Sequence, residues 1–502
     1  MAARKTLLTG IFLLSILSSQ LQATWSILLV NAATGEMGIS SVTCLTSLSL
    51  LHSTPVVVVG KGLGVSQAIL DSDGLRRQTM FNGISDGTPL NQILAQLALL
   101  PGHQSRQYGM VDRNGGRIAF TGANAFDWAG EFAGVASTPR GPISYAIQGN
   151  ILAGSCVLDA VLDTLASTDD DLPGVLMATM HAAKEAGGDG RCSCSPGAAT
   201  SCGCPPPAPF KSGHIGFIVV TRTGDSDDPL CNAGGCASGD YFLSINIGGQ
   251  PASAPDPVDQ MQDAFDLWRS SRVGLPDAIT SESTFVEDDD GSRLRVELSD
   301  WAGGAVDVPV SLSVTEVPGE LAPDAIGDPI EVQSGVWEIP FSVSPGDEPV
   351  SLRVTVEDGV RPVTLMPDAS YCRTLPSTTD PDCNANGNGD SCDLANGTAT
   401  DDDGDGILDS CPRFIRGDVD GDGVLDLGDA VWMLEYLYLP GTPVPPCISA
   451  VDFDGGGELD LADPVSMLSY LFLGGPEPSP PFPLCGPSDG SPASVCEEPP
   501  GC

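Results

Sequence analysis

The chain has 502 residues, with 66 acidic against 22 basic, for a formal net charge of -44. That length exceeds what one hydrophobic core supports, so several domains are expected. The acidity argues against nucleic acid or anionic membrane as a partner, since basic patches hold both.

Residues 1–23 read as a secretory signal: Arg4 and Lys5, an apolar run over 7–17, then Leu21-Gln22-Ala23 as a small-residue cleavage site. The run is too short to span a bilayer, and no later stretch reaches about 18 apolar residues. A secreted or cell-surface protein is expected, with no transmembrane segment after signal removal. That compartment permits disulfides, and 16 cysteines fit it. Cys44 and Cys156 stand alone in apolar segments and read as buried thiols. Zinc at Cys192-x-Cys194 and Cys202-x-Cys204 is disfavoured by the one-residue spacer.

From 24 to about 270, strand and helix signals mix. Short β-type runs at 25–30, 39–43, 56–59, 108–111, 118–121 and 145–149 are bounded by Gly, Asn or Asp. Thr34-Gly35 marks a hairpin turn between the first two. Thr88 as N-cap and Pro89 at N1 open a helix with Ile93, Leu94, Leu97 and Leu100 on one face. A second helix carries Val157, Leu158, Val161, Leu162 and Leu165, and a third runs from Leu172 to Gly187-Gly188. Strands at 215–221 and 241–247 precede a closing helix over 257–270. The Cys-, Gly- and Pro-rich stretch 189–209 breaks the pattern and reads as a disulfide-pinned surface insertion. Sheets covered by helical layers, an α+β class, are the expectation.

No Ser-His-Asp motif is readable, and the four histidines show no metal-ligand spacing. Lys61-Gly-Leu-Gly64 is too short for a phosphate loop. The informative position is the end of the signal. Cleavage after Ala23 would leave Thr24 first, at the head of a strand. A free α-amine, with reference pKa about 7.7–8.0, can then take the proton of the same residue's hydroxyl.

A resemblance rests on Thr24-Trp-Ser-Ile27, Thr34-Gly-Glu-Met-Gly38, Ser66-Gln67, Arg106-Gln107 and Phe120-Thr-Gly122. It continues through Tyr145-Ala-Ile-Gln-Gly-Asn-Ile-Leu-Ala-Gly154, Gly187-Gly-Asp-Gly190 and Asp256-Pro-Val258. Residues 24–270 resemble the domain of unknown function 1028 family, within the N-terminal nucleophile hydrolase superfamily. The resemblance implies an αββα sandwich and hydrolysis of a small amide substrate through an acyl-enzyme on Thr24. By position it offers Gln148, Gly149 and Asn150 as oxyanion donors and Asp189 as the group orienting the amine or substrate. Two departures stand out. Cys44 replaces the family's usual basic residue after the second strand, and Ile245-Asn-Ile-Gly-Gly249 replaces its charged stretch after the last.

Beyond the helix at 257–270, helix signals vanish until the C-terminal repeats. β-Type runs at 294–298, 308–314, 336–343 and 350–356 predict an immunoglobulin-like β-sandwich over 271–368. Next comes a repeat: Asp382, Asn384, Asn386 and Asp390 recur 19 residues later as Asp401, Asp403, Asp405 and Asp409. It resembles thrombospondin type 3 calcium repeats, over 369–412. A second repeat, offset by 34 residues, starts at Asp418 and Asp452. Asp418, Asp420, Asp422, Asp426 and Asp429 fill loop positions 1, 3, 5, 9 and 12, with Gly423 at 6 and the Val424 carbonyl at 7, an oxygen set suited to Ca²⁺. The second copy has Asp452, Asp454, Asp460 and Asp463, but Gly456 stands where a ligand is expected. Each loop leads into an apolar helical segment, and residues 413–478 resemble a dockerin domain, which implies a cohesin-like or cell-surface partner. The Pro- and Cys-rich tail 479–502 suggests no chemistry. Two functions fit: a tethered amide hydrolase, or a noncatalytic calcium-dependent adhesion protein on a decayed hydrolase fold.

Overall fold

A computed structural model of the chain describes residues 24–227, 231–288, 291–317, 325–341, 350–371, 389–396, 399–400, 408, 413–445, 447–457, 459–482 and 486–487. The signal segment and Asp382, Asn384, Asn386, Asp401, Asp403, Asp405 and Asp409 lie outside the described residues. The chain divides into two units. The first comprises Met1–Thr280, Ser299–Val308 and Val360–Pro367; the second comprises Ser281–Leu298, Pro309–Gly359 and Asp368–Cys502.

The first unit opens with β1 (Thr24–Val30), β2 (Met37–Thr43), β3 (Pro55–Val58) and β4 (Gly62–Gln67). Helices α1 (Leu75–Ser85) and α2 (Leu90–Ala98) follow, then β5 (Gln107–Asp112), β6 (Arg117–Thr121), β7 (Gly130–Thr138) and β8 (Gly141–Asn150). It continues with α3 (Cys156–Ser167), α4 (Leu172–Glu185), the single turn α5 (Gly190–Ser193), β9 (Ile215–Thr221), β10 (Leu243–Ile247) and α6 (Pro257–Ser270). One sheet has six antiparallel strands in the order β10-β9-β2-β1-β8-β7, and the other has four in the order β3-β4-β5-β6.

Strand periodicity sorts the residues of β1 between two cores. Trp25, Ile27 and Leu29 pack with Val161, Leu176 and Met261 of α3, α4 and α6. Leu28 and Val30 pack with Leu63, Val65 and Val111 of the second sheet. On the far side of that sheet, Val56, Tyr108 and Met110 meet Met80 of α1 and Ile93 and Leu97 of α2. The layer order is therefore helix, sheet, sheet, helix.

Local chemistry explains the boundaries. In the β1–β2 turn the Asn31 side chain accepts from the Ala33 and Thr34 amides, and Gly35 adopts φ 71°. Asp171 caps α4 and Asp256 caps α6, each followed by proline in the first turn. Thr88 is not the cap of α2: its N–H bonds the Gly83 carbonyl in the turn closing α1, so Pro89 holds that position. Helix α1 leaves no periodic signal in the sequence because its apolar residues form no stripe; Arg76 and Arg77 are buried against Asp71 instead.

The structure bridges the two cysteines expected as buried thiols. Cys44 pairs with Cys192 and Cys156 with Cys204, so neither is a thiol. Cys194–Cys202 and Cys231–Cys236 are also bridged, and none of the cysteines among the described residues is free. Segment 189–209 is thereby stitched to the end of β2 and the start of α3, and Asp189 at its start is fully buried rather than on the surface.

A buried ion triad closes the unit. Arg222 pairs with Glu36 at 2.8 Å and Asp277 at 2.6 Å and stacks on Phe242. Burial disfavours its charge, but the two carboxylates outweigh that and hold it firmly protonated.

The second unit carries β11 (Glu282–Asp288), β12 (Gly291–Glu297), β13 (Ser311–Val317), β14 (Ile330–Gln333), β15 (Val336–Pro340) and β16 (Val350–Glu357). Strand β17 (Pro362–Thr364) falls in the first unit; β18 (Ala369–Tyr371) returns to the second. Strands β11-β12-β15-β14 form one antiparallel sheet, and β16 pairs with β13 and β18 in another. Phe285, Phe341 and Tyr371 join them, with ring centroids 4.9–5.3 Å apart. Then come α7 (Asp390–Asn396), β19 (Arg413–Phe414), α8 (Leu427–Tyr438), α9 (Ala462–Leu473) and β20 (Gly486–Pro487). Ala430 and Met433 of α8 pack with Met467 of α9 over Val419, Val451 and Phe453. Mixed helix and antiparallel sheet throughout make the protein α+β.

Candidate functional site

The space between the two sheets of the first unit is apolar at one end and polar at the other. Thr24 and Ser26 of β1 share the register face of Leu28 and Val30, so their side chains enter the polar end. Register sets Thr24 opposite Asn150 and Ser26 opposite Gln148 on β8. The Thr24 main-chain nitrogen lies 3.2 Å from Asn150 Oδ1, and Asn150 Nδ2 donates to the Ala125 carbonyl at 2.9 Å, which fixes the amide's orientation. The Thr24 hydroxyl is buried and has no hydrogen-bond partner among the described residues. An unpaired buried hydroxyl costs about 1–3 kcal/mol, so its presence at a strand head calls for an explanation.

The second sheet reaches across to this point. Gln67, the last residue of β4, donates through Nε2 to the Thr24 carbonyl at 2.8 Å and to Gln107 Oε1 at 2.9 Å. Its Oε1 accepts from Ser26 Oγ at 2.5 Å, so the hydroxyl of Ser41, 2.6 Å away, donates to Ser26. Gln107 Nε2 in turn donates to the Gly149 carbonyl and to Thr121 Oγ1, both at 2.8 Å. Gln148 fits because Gly109 faces it: a Cβ there would lie 2.0 Å from Gln148 Oε1.

Backbone strain gathers around the same network. Ala68, directly after Gln67, has φ 73°, and Ile151, directly after Asn150, has φ 50°. Phe126, directly after the carbonyl that receives Asn150, has φ 69°. Left-handed backbone costs such residues on the order of 1–3 kcal/mol each, and the strain collects where a site needs it.

The other expected residues take different places. Gln148 Nε2 donates to the Ser26 carbonyl at 3.2 Å and Asn150 Nδ2 to the Ala125 carbonyl at 2.9 Å, so each amide commits one of its two N–H groups to backbone. The Gly149 carbonyl is held by Gln107. The Asp189 carboxylate accepts from the Cys44 amide at 2.7 Å and from Arg191 at 2.8 Å, whereas the Thr24 main-chain nitrogen is met by Asn150. Arg191 also reaches Thr43 Oγ1 at 3.4 Å, at the end of β2. The Cys44–Cys192 bridge thus brings a guanidinium to the edge where Cys44 replaces the expected basic residue. His214, 3.3 Å from Cys192 Sγ and 3.0 Å from Lys211 Nζ, lies beside a closed disulfide.

The C-terminal loops form a second cluster. Carboxylate oxygens of Asp418, Asp420 and Asp429 lie within 4.8 Å of one another, as do those of Asp452, Asp454 and Asp463. The two loops repeat one hydrogen-bond set. The amides of Asp422 and Gly423 bond Asp418 as those of Gly456 and Gly457 bond Asp452. The Asp426 amide bonds Asp429 as the Asp460 amide bonds Asp463. Gly423 and Gly457 hold the sharp bend at φ 83° and 78°. Asp422 and Asp426 do not join the first trio: the former accepts from the Val424 amide, and the latter caps α8 in a capping box with Asp429. Asp460 accepts from Ala462. Burial, ahead of repulsion from Asp420, pushes the Asp429 carboxyl up to about 6. Burial also raises Asp418 and Asp463. In the second loop Asp452 is paired with Arg416 at 3.5 Å, whereas among the described residues no ion pair reaches the first trio. Asp390 opens α7; its repeat partners lie outside the described residues.

Residues 24–200 match the model of a family described as "Family of unknown function (DUF1028)". The matched span holds Thr24, Gln67, Gln107, Gln148, Asn150 and Asp189 and ends before the expected boundary at 270. The chain is also similar to the crystal structure of a protein of that family from Silicibacter pomeroyi. Identity is 18%, coverage is 49% of this chain and 85% of that one, and the TM-score is 0.35. No curated protein matches the chain.

Proposed function

We propose that the first unit is an N-terminal nucleophile hydrolase-like αββα sandwich that cleaves an amide bond with Thr24, exposed as the first residue when the signal is cut after Ala23. The observation that carries this reading is the buried Thr24 hydroxyl, unpartnered among the described residues, beside a main-chain nitrogen already held by Asn150. The α-amine takes the hydroxyl proton as Oγ1 attacks the substrate carbonyl, then passes it to the departing amine. Water hydrolyses the resulting threonyl ester, with the same amine as base. A trapped acyl adduct, seen as a mass increase on Thr24 and absent in Thr24→Ala, tests this directly. Equal labelling of both proteins would refute it.

The remaining modules read as attachment. The Asp418–Asp429 loop suits calcium, because its clustered carboxylates leave a demand for positive charge that no described side chain meets. The bridged cysteines suit an exported protein, and among the described residues no helix is long and apolar enough to cross a membrane. The two sheets of the second unit fit a β-sandwich spacer. The second reading, a noncatalytic calcium-dependent adhesion protein, is favoured by apolar residues left on both C-terminal helices. Tyr438 and Leu439 beside α8 are each 58% exposed, and Phe472 and Leu473 at the end of α9 are 63% and 83% exposed. They suit docking to a cohesin-like protein whether or not Thr24 is active.

A further inference from the structure

We propose that Gln67 is a positioning residue for Thr24, with Gln107 as its support; this rests on the nucleophile reading above. Gln67 comes from the opposite sheet and meets the nucleophile's own residue, donating to the Thr24 carbonyl at 2.8 Å. Two residues further along β1 it accepts the Ser26 hydroxyl, so a single amide spans two successive inward-facing positions of the strand head. Its remaining N–H goes to Gln107 Oε1 at 2.9 Å, and Gln107 holds the Gly149 carbonyl on β8. The strand carrying Thr24 and the strand carrying Asn150 are thus gripped at their ends by one pair of glutamines.

The grip has a specific consequence. Thr24 stands at the very start of β1, where a released chain has no preceding residue to hold it. Ladder bonds to neighbouring strands leave the first residue free to fray, whereas a bond to its carbonyl limits rotation about the one peptide that carries the amine and hydroxyl. Proximity between the amine and Asn150 Oδ1, and between Oγ1 and a substrate carbonyl, then depends on Gln67. Gln67 and Gln107 are both fully buried, and Ala68 accepts left-handed backbone immediately after Gln67. That strain is consistent with a side chain whose placement matters more than the comfort of its loop.

The test uses the full exported chain beginning at Thr24, with a β-lactone as acylating probe and adduct formation followed by intact mass. Gln67→Met keeps length and removes both donors and the acceptor; it is expected to slow acylation of Thr24 by about 100-fold. Gln67→Glu places a carboxylate beside the amine, which favours the protonated amine, so the acid limb of the acylation rate moves to higher pH. A merely structural glutamine would leave that limb in place. Wild-type rate and wild-type pH profile in both variants, while the wild type still labels and Thr24→Ala does not, would overturn the Gln67 role and spare the nucleophile. If the wild type itself takes no label on Thr24, the nucleophile reading fails and the Gln67 role falls with it. Should Gln67→Met not fold, the pH profile of Gln67→Glu decides.

Discussion

Arg222 sets the clearest expectation for a single side chain outside the site. It is enclosed with Glu36 and Asp277, and removing the cation would strand two buried carboxylates. Arg222→Met should therefore destabilise the first unit by about 3–5 kcal/mol, read from chemical denaturation. A loss below about 1 kcal/mol would mean that solvent or another cation reaches the pair. Burial alone would raise Asp277, but Arg222 holds it below its ordinary value, so it contributes stability that is present above the free carboxyl range and is lost as pH falls from that range through its own lower value. At this scale the sequence draws attention to Thr24 by its place after the expected signal and to Asn150 by a motif, and the register sets the two opposite each other. Gln67 and Gln107 stand in the sequence only among the residues that carry the family resemblance. Their role arises from contact between sheets, which no spacing along the chain reveals. Polar residues on the inward register of otherwise apolar strands were the available signal.

Among the elements, the two acidic loops and the Cys44–Cys192 staple carry separate expectations. Asp429, raised to about 6, keeps its proton further up the pH scale than a free carboxyl at about 3.9. Between those values the metal-free fold binds more protons than the unfolded chain, so its stability falls as pH rises through that window. Calcium needs the ionised form, so its affinity should climb over the same range and level off above pH about 6, measured by titration calorimetry. A flat affinity from pH 4 to 7 would contradict this. The Asp418 loop should bind calcium more tightly than the Asp452 loop, where Gly456 offers no carboxylate and Arg416 already pairs with Asp452. The disulfide between Cys44 and Cys192 spans 148 residues, and replacing both by serine should cost about 2–5 kcal/mol in thermal or chemical unfolding. An unchanged midpoint would show that packing alone holds Asp189 and Arg191. Helices α3, α4 and α6 and strand β9 were readable because their stripes and caps are local. Strands β4 and β7 were not: β4 is Gly-rich, and β7 places few apolar residues inward. The pairing of isolated Cys44 and Cys156 with a distant Cys-rich stretch was equally hidden, because connectivity is a property of the folded chain.

Across the whole molecule, an acidic chain with bridged cysteines combines a layered first unit with a second unit of two sheets and a repeated loop–helix pair. The class was legible, since runs of strands and helical stripes announced α+β order, and the repeat at Asp418 and Asp452 was visible as an offset. The central claim is that export itself creates the catalytic group at Thr24. Mass determination of the N-terminus of the exported protein tests it most directly. The account predicts Thr24 as the first residue, with a free α-amine; any residue remaining ahead of Thr24 would deny the hydroxyl its base and contradict the account.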